Sequence, residues 1–139
     1  MTATAAAGTI PIATPVRGVS EALIQCLVRA FYDRVLRDPE LGPVFKGALS
    51  HRWEEHLQTM VDFWSSVALR TGRYSGKPHV AHAHLLLTTE LFERWLRLFE
   101  ATAGDVCEPD VAAFFVDRAN RIADSLRIGL GIGPKALRL

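Results

Sequence analysis

Cysteine is scarce in this 139-residue chain: Cys26 and Cys107 are its only two, far apart in sequence and forming no Cys-x-x-Cys pair. That spacing argues against a disulfide scaffold and a thiolate zinc site, and it fits a reducing, cytoplasmic setting. Charge of one sign is also missing. Sixteen Lys and Arg stand against fifteen Asp and Glu, a formal net charge of +1. No block of like charges supplies a footprint for nucleic acid or an anionic membrane. Uninterrupted apolar stretches fall well short of the roughly 18 to 20 residues that cross a bilayer. No segment alternates apolar and polar residues long enough to form a half-buried strand. What remains is a globular all-α protein whose partner is small, with no nucleic acid and no membrane among its expected partners.

Apolar residues make up 49% of the chain and charged residues 22%, enough for a core and too few charges for wholesale disorder. Residues 1–18 are rich in Ala, Thr and Pro. They lack the basic start and continuous apolar segment of a signal peptide, and they read as a flexible tail. The folded domain is expected over residues 19–130, with a C-terminal tail at 131–139. About 120 residues are left for the fold, which is one small domain.

Helical spacing recurs in four segments. The first starts near Ser20, an acceptable N-cap, carries Leu23, Leu27, Phe31 and Val35 at steps of four, and stops at Asp38-Pro39. Residues 40–50 contain Gly42-Pro43 and Gly47 and read as a turning linker. Leu41, Val44 and Phe45 are too apolar for a solvated loop, so something must cover them. A second helix is expected over residues 51–69, with Trp53, His56, Leu57, Met60, Trp64 and Val67 on one stripe. Residues 71–78 are turn-forming, and 79–87 allow only a short helix. Thr88 or Thr89 can cap a helix bearing Leu91, Phe92, Trp95, Leu96 and Phe99 that ends at Gly104. Pro109 suits the first turn of the last helix, where Val111, Phe114, Phe115, Ile122 and Leu126 form the buried face.

Four of these inward positions carry polar tips: Tyr32, His56, Trp64 and Trp95. An unpaired hydroxyl, imidazole or indole N–H in a dry interior costs about 1 to 3 kcal/mol. Four together point to a polar pocket within the core. Each also has a plainer reading as a packing residue with its tip at the surface, and His56 as a satisfied core histidine. A haem-free helical interaction module with an aromatic core is the corresponding reading of the whole chain.

His79, His82 and His84 form a second group. On a helix His79 and His82 share a face while His84 points elsewhere, and no Cys or acidic ligand nearby completes a tetrahedral set, which disfavours zinc. One histidine still suffices for a metal that brings its own equatorial ligands, as haem iron does in an apolar slot.

The residues also occur in linked strings: Phe31-Tyr32, then Asp38-Pro39 and Leu41-Gly42-Pro43-Val44-Phe45, then Trp53-x-x-His56 with Phe63-Trp64 downstream. After these come Tyr74-x-Gly76-x-Pro78-x-x-x-His82-x-x-Leu85 and Leu91-Phe92-x-x-Trp95-Leu96-x-Leu98-Phe99. In this order and spacing, from about residue 20 to residue 128, the chain resembles the truncated haemoglobins of the third group. The resemblance implies a 2-on-2 helical sandwich, a shortened relative of the globin fold, holding haem b (iron protoporphyrin IX). It makes His82 the proximal iron ligand and gives a haem-contacting set of His82, Phe45, Met60, Trp64, Tyr74, Lys77 and Leu85. It puts Tyr32, His56 and Trp95 on the distal side, with Tyr32 and Trp95 as the main hydrogen-bond donors. His79 and His84 depart from the family's single proximal histidine and leave room for rearranged ligation. Arg73, Tyr74, Lys77 and His79 lie where propionate partners belong, or form a solvated turn.

The function implied is binding of dioxygen or another diatomic ligand (nitric oxide, carbon monoxide, cyanide) at a five-coordinate iron. The alternative is a peroxidase-like or nitric-oxide-detoxifying enzyme with His56 and Tyr32 as its proton-transfer groups. No reductase segment accompanies the globin-like stretch, so that alternative requires a separate electron donor. His56 either donates a further hydrogen bond or swings outward as a gate.

Overall fold

The computed structural model describes residues 18–76, 82, 85 and 87–132. Among them are five helices and no strand: α1 (Glu21–Arg37), α2 (Leu41–Leu49), α3 (Trp53–Leu69), α4 (Thr89–Val106) and α5 (Pro109–Leu130). Local chemistry sets their ends. The Ser20 Oγ accepts the Leu23 N–H at 3.1 Å, and the Thr88 Oγ1 accepts the Leu91 N–H at the same distance, each satisfying a donor that the first helical turn leaves without a partner. Pro109 opens α5, where its missing N–H costs nothing. Gly131 ends α5 in the left-handed conformation.

α4 packs on α5 and α1, and α1 in turn packs on α2 and α3. The α1/α3 pair therefore meets the α4/α5 pair in the expected 2-on-2 sandwich. Ile24, Leu27, Val35, Phe31, Phe99 and Phe115 are fully buried at the junction. Phe31 meets Phe99 edge-on at 5.1 Å, and Trp64 meets Phe115 at 5.4 Å. Edge-to-face contacts of this kind hold an aromatic core in one arrangement better than aliphatic packing alone.

Two sequence expectations are corrected. Residues 40–50 are not a turning linker; most of the stretch is helix α2. Gly42 and Pro43 fall in its first turn, where a missing N–H is tolerated. The Asp38 carboxylate accepts the Glu40 and Leu41 N–H groups at 3.0 and 2.8 Å, starting the helix from outside it. Gly42 is required because α2 leaves α1 so closely that a Cβ there falls 2.7 Å from the Leu36 carbonyl oxygen. Leu41 is buried, and Val44 and Phe45 are half-buried, which accounts for their apolar character. The second correction concerns α4, which runs past Gly104 to Val106, where the Cys107 N–H donates to the Ala103 carbonyl at 2.9 Å. The short helix expected over 79–87 lies largely outside the described residues, as do most of the two tails.

Candidate functional site

Three of the four polar-tipped residues, Tyr32 on α1, His56 on α3 and Trp95 on α4, come together beside Phe45 of α2. Tyr32, only 3% exposed, lies 5.0 Å from the His56 ring at an interplanar angle of 87°, 5.8 Å from Phe45 and 6.0 Å from Trp53. Phe45 and Trp53 close on His56 at 6.2 and 5.5 Å. Helix spacing explains the cage. Trp53 and His56 are one turn apart on α3, and Met60, half-buried against the core, continues the same stripe.

Burial pushes the Tyr32 phenol well above its ordinary range, opposed by a hydrogen bond from the Trp95 indole. Trp95 is held in turn by Phe31, edge-on at 5.2 Å, and by Phe99, parallel at 5.6 Å.

His56 contributes a buried polar atom. Its Nε2 is buried and has no hydrogen-bond partner among the described residues. Burial, with the neighbouring His82 imidazole as a second cause, lowers its pKa from 6.5 to about 4, so the ring is neutral at physiological pH. His82 therefore lies within electrostatic reach of the cage, although 26 positions separate the two histidines in sequence. It is half-buried and helical, and its carbonyl accepts the Leu85 N–H at 3.0 Å.

Other predicted site residues stand apart from this cage. Trp64, 2% exposed, lies parallel to Phe99 at 5.4 Å and belongs to the aromatic core behind Trp95. Tyr74 packs edge-on against Phe63 at 5.2 Å, and its N–H donates to the Ser66 Oγ at 2.9 Å. Gly76 follows Tyr74 because the chain folds back over the ring: a Cβ there meets the phenol oxygen at 2.6 Å. Arg73 is engaged by Glu21 through two 2.9 Å bonds and by Asp62 at 3.1 Å. Lys77, His79 and His84 lie outside the described residues. Trp53 is a cage wall that sequence reasoning assigned only to the core stripe; its place three residues before His56 was the available signal.

No protein-family model matches the chain. It is 33% identical over 109 residues to the group 3 truncated hemoglobin ctb of Campylobacter jejuni, covering 76% of this chain and 86% of that protein. The crystal structure of group III truncated hemoglobin from Campylobacter jejuni superposes with a TM-score of 0.76 at 30% identity, over 82% of this chain and 93% of that one. The chain belongs to the group 3 truncated haemoglobins.

Membership in the truncated haemoglobins makes haem the group against which to test the cage. A porphyrin needs an apolar slot, one axial imidazole and donors near its open face. Phe45, Trp53 and Met60 supply apolar wall, His82 supplies an imidazole near the cage, Tyr32 supplies a buried phenol, and His56 supplies a buried nitrogen without a partner among the described residues. The residues fit the group. Among the described residues no helix is long and apolar enough to cross a membrane.

Proposed function

We propose that this chain binds haem b with His82 as the proximal ligand of a five-coordinate iron, and holds dioxygen or another diatomic ligand against Tyr32 on the opposite side. The observation that carries the reading is the single cage in which Tyr32, Phe45, His56 and Trp95 meet, with one buried nitrogen that no described residue partners. The haem supplies the electron-rich iron that binds the diatomic ligand; the chain supplies orientation, dryness and hydrogen bonds.

Tyr32 is the direct donor in this arrangement. A bound dioxygen carries partial negative charge, which a phenol O–H stabilises in a water-excluded pocket. In this reading the Trp95 indole N–H, a donor only, turns to the phenol oxygen and so aims the phenol proton. His56, neutral and with Nε2 unpaired among the described residues, is the second polar atom available to the ligand. Phe45, Met60 and Leu85 line the slot, while Trp64 and Tyr74 buttress it from behind. The same pocket admits nitric oxide, carbon monoxide and cyanide.

The reading makes two spectroscopic and kinetic demands. His82→Ala loses or strongly alters the haem Soret band, and an unchanged spectrum rejects His82 as the ligand. Tyr32→Phe removes one hydrogen bond worth about 1 to 2 kcal/mol and speeds oxygen release roughly 5- to 30-fold. An unchanged off-rate in that variant overturns the distal assignment.

A further inference from the structure

Arg94 precedes Trp95 on α4, and its Nε–H is shared between the two Asp38 oxygens at 2.9 and 2.7 Å. Asp38 closes α1, the helix that carries Tyr32, and the same carboxylate accepts the Glu40 and Leu41 N–H groups that start α2, the helix that carries Phe45. One carboxylate thus holds three helices, each contributing a wall of the cage. The pair is well shielded, with Asp38 12% and Arg94 31% exposed, and Arg94 also reaches Glu40 at 3.4 Å.

The apolar contacts around Trp95 do not by themselves fix the indole. Packing against Phe31 and Phe99 sets how the rings face one another but still tolerates small slides along the helix axis. A hydrogen bond from the indole N–H to the phenol oxygen tolerates far less. The α1/α4 contact is bolted at two points. Arg34 donates to the Thr102 Oγ1 at 3.2 Å and pairs with Asp105 at 2.9 Å, and Asp38 pairs with Arg94. Tyr32 lies two residues from the first bolt, and Trp95 one residue from the second.

We propose that the Asp38–Arg94 ion pair is a positioning device for the distal hydrogen bonds: it sets the register of α4 on α1 so that the Trp95 indole meets the Tyr32 phenol and directs its proton to the ligand. This inference rests on the distal role of Tyr32 argued above. Neither member of the pair touches the ligand; each acts through Trp95 and through the start of α2.

The test uses the haem-loaded protein. Asp38→Asn keeps an acceptor for the α2 N–H groups and removes the charge, Arg94→Gln removes the partner, and Arg94→Lys keeps the charge without the planar donor. Oxygen dissociation, the C–O stretching band of the carbonyl form and the Trp95 indole N–H resonance are measured for each, with Tyr32→Phe alongside. Asp38→Asn and Arg94→Gln move the indole resonance, shift the C–O band in the direction of Tyr32→Phe, and raise the off-rate toward that variant's value. Combining them adds little beyond either alone, because they break one interaction. Arg94→Lys lies between them and the wild type. An indole resonance and off-rate left at wild-type values, while Tyr32→Phe releases oxygen faster, overturn the proposal. A Tyr32→Phe protein with unaltered release removes the reading beneath it instead, and the indole resonance then still reports whether the pair orients Trp95.

Discussion

His56 is the residue at which sequence and structure agree most directly about physical chemistry. An imidazole among Trp53, Leu57 and Met60 was legible as a group in need of partners, because its spacing put it on an apolar stripe. That its Nε2 finds no partner among the described residues was not legible, since hydrogen-bond partners depend on residues brought in from other helices. The structure leaves Nε2 buried and unpaired among the described residues, with a pKa lowered to about 4. The sign of the consequence follows. Between the ordinary value of 6.5 and about 4 the unfolded chain binds a proton at His56 that the folded chain refuses. Stability therefore rises with pH across that window and is insensitive to this group above it. The shift corresponds to a ceiling of roughly 3 kcal/mol. Denaturant titrations of the haem-free protein near pH 4.5 and pH 7.5 should show the wild type losing more stability on acidification than His56→Leu does. Parallel losses in the two proteins contradict the buried neutral imidazole.

At the scale of the element, α2 marks the limit of reading by composition. Gly42, Pro43 and Gly47 together look like a turn, yet the first two fall in the opening turn of a helix and the Asp38 carboxylate supplies its cap. Ser20, Thr88 and Pro109 were readable because each stands before an apolar stripe; Asp38 caps α2 over the same three-residue separation, but with Pro39 it reads as the end of α1. The two glycines of α2 separate fold from propensity. A Cβ at Gly42 lies 2.7 Å from backbone oxygen, whereas a Cβ at Gly47 has nothing within 4 Å. Gly42→Ala must move α1 against α2 and is expected to cost about 1 to 3 kcal/mol. Gly47→Ala gains helix propensity without a clash and is expected to stabilise by about 0.5 to 1 kcal/mol. Urea unfolding of the two variants reads the signs; two destabilised proteins, or two stabilised ones, are inconsistent with this packing of α2 on α1.

For the whole molecule, the helices apart from α2 were legible in the residues, their 2-on-2 pairing came only from the family resemblance, and their fastening was not legible at all. Four apolar stripes and a short working length implied a small helical domain, and the ties between α1 and α4 join residues 56 and 68 positions apart, Asp38 with Arg94 and Arg34 with Thr102. Pairings at that distance leave no periodic trace. The cage they frame is built from large rings with polar tips, and a group that binds it in the folded state alone must stabilise the fold. The gain is RT ln(1 + [L]/Kd), about 4 kcal/mol when free ligand exceeds its dissociation constant a thousandfold. In a domain of this size, haem loading is expected to raise the melting temperature by on the order of 10 °C. His82→Ala should forfeit most of that rise while melting close to the wild type when both are haem-free, because the lost imidazole acts on the haem and not on the apolar core. Scanning calorimetry of the two proteins with and without haem makes the comparison. A wild-type melting temperature that ignores haem contradicts the cage as a binding site. A variant that gains as much as the wild type shows that the stabilising contact does not run through His82.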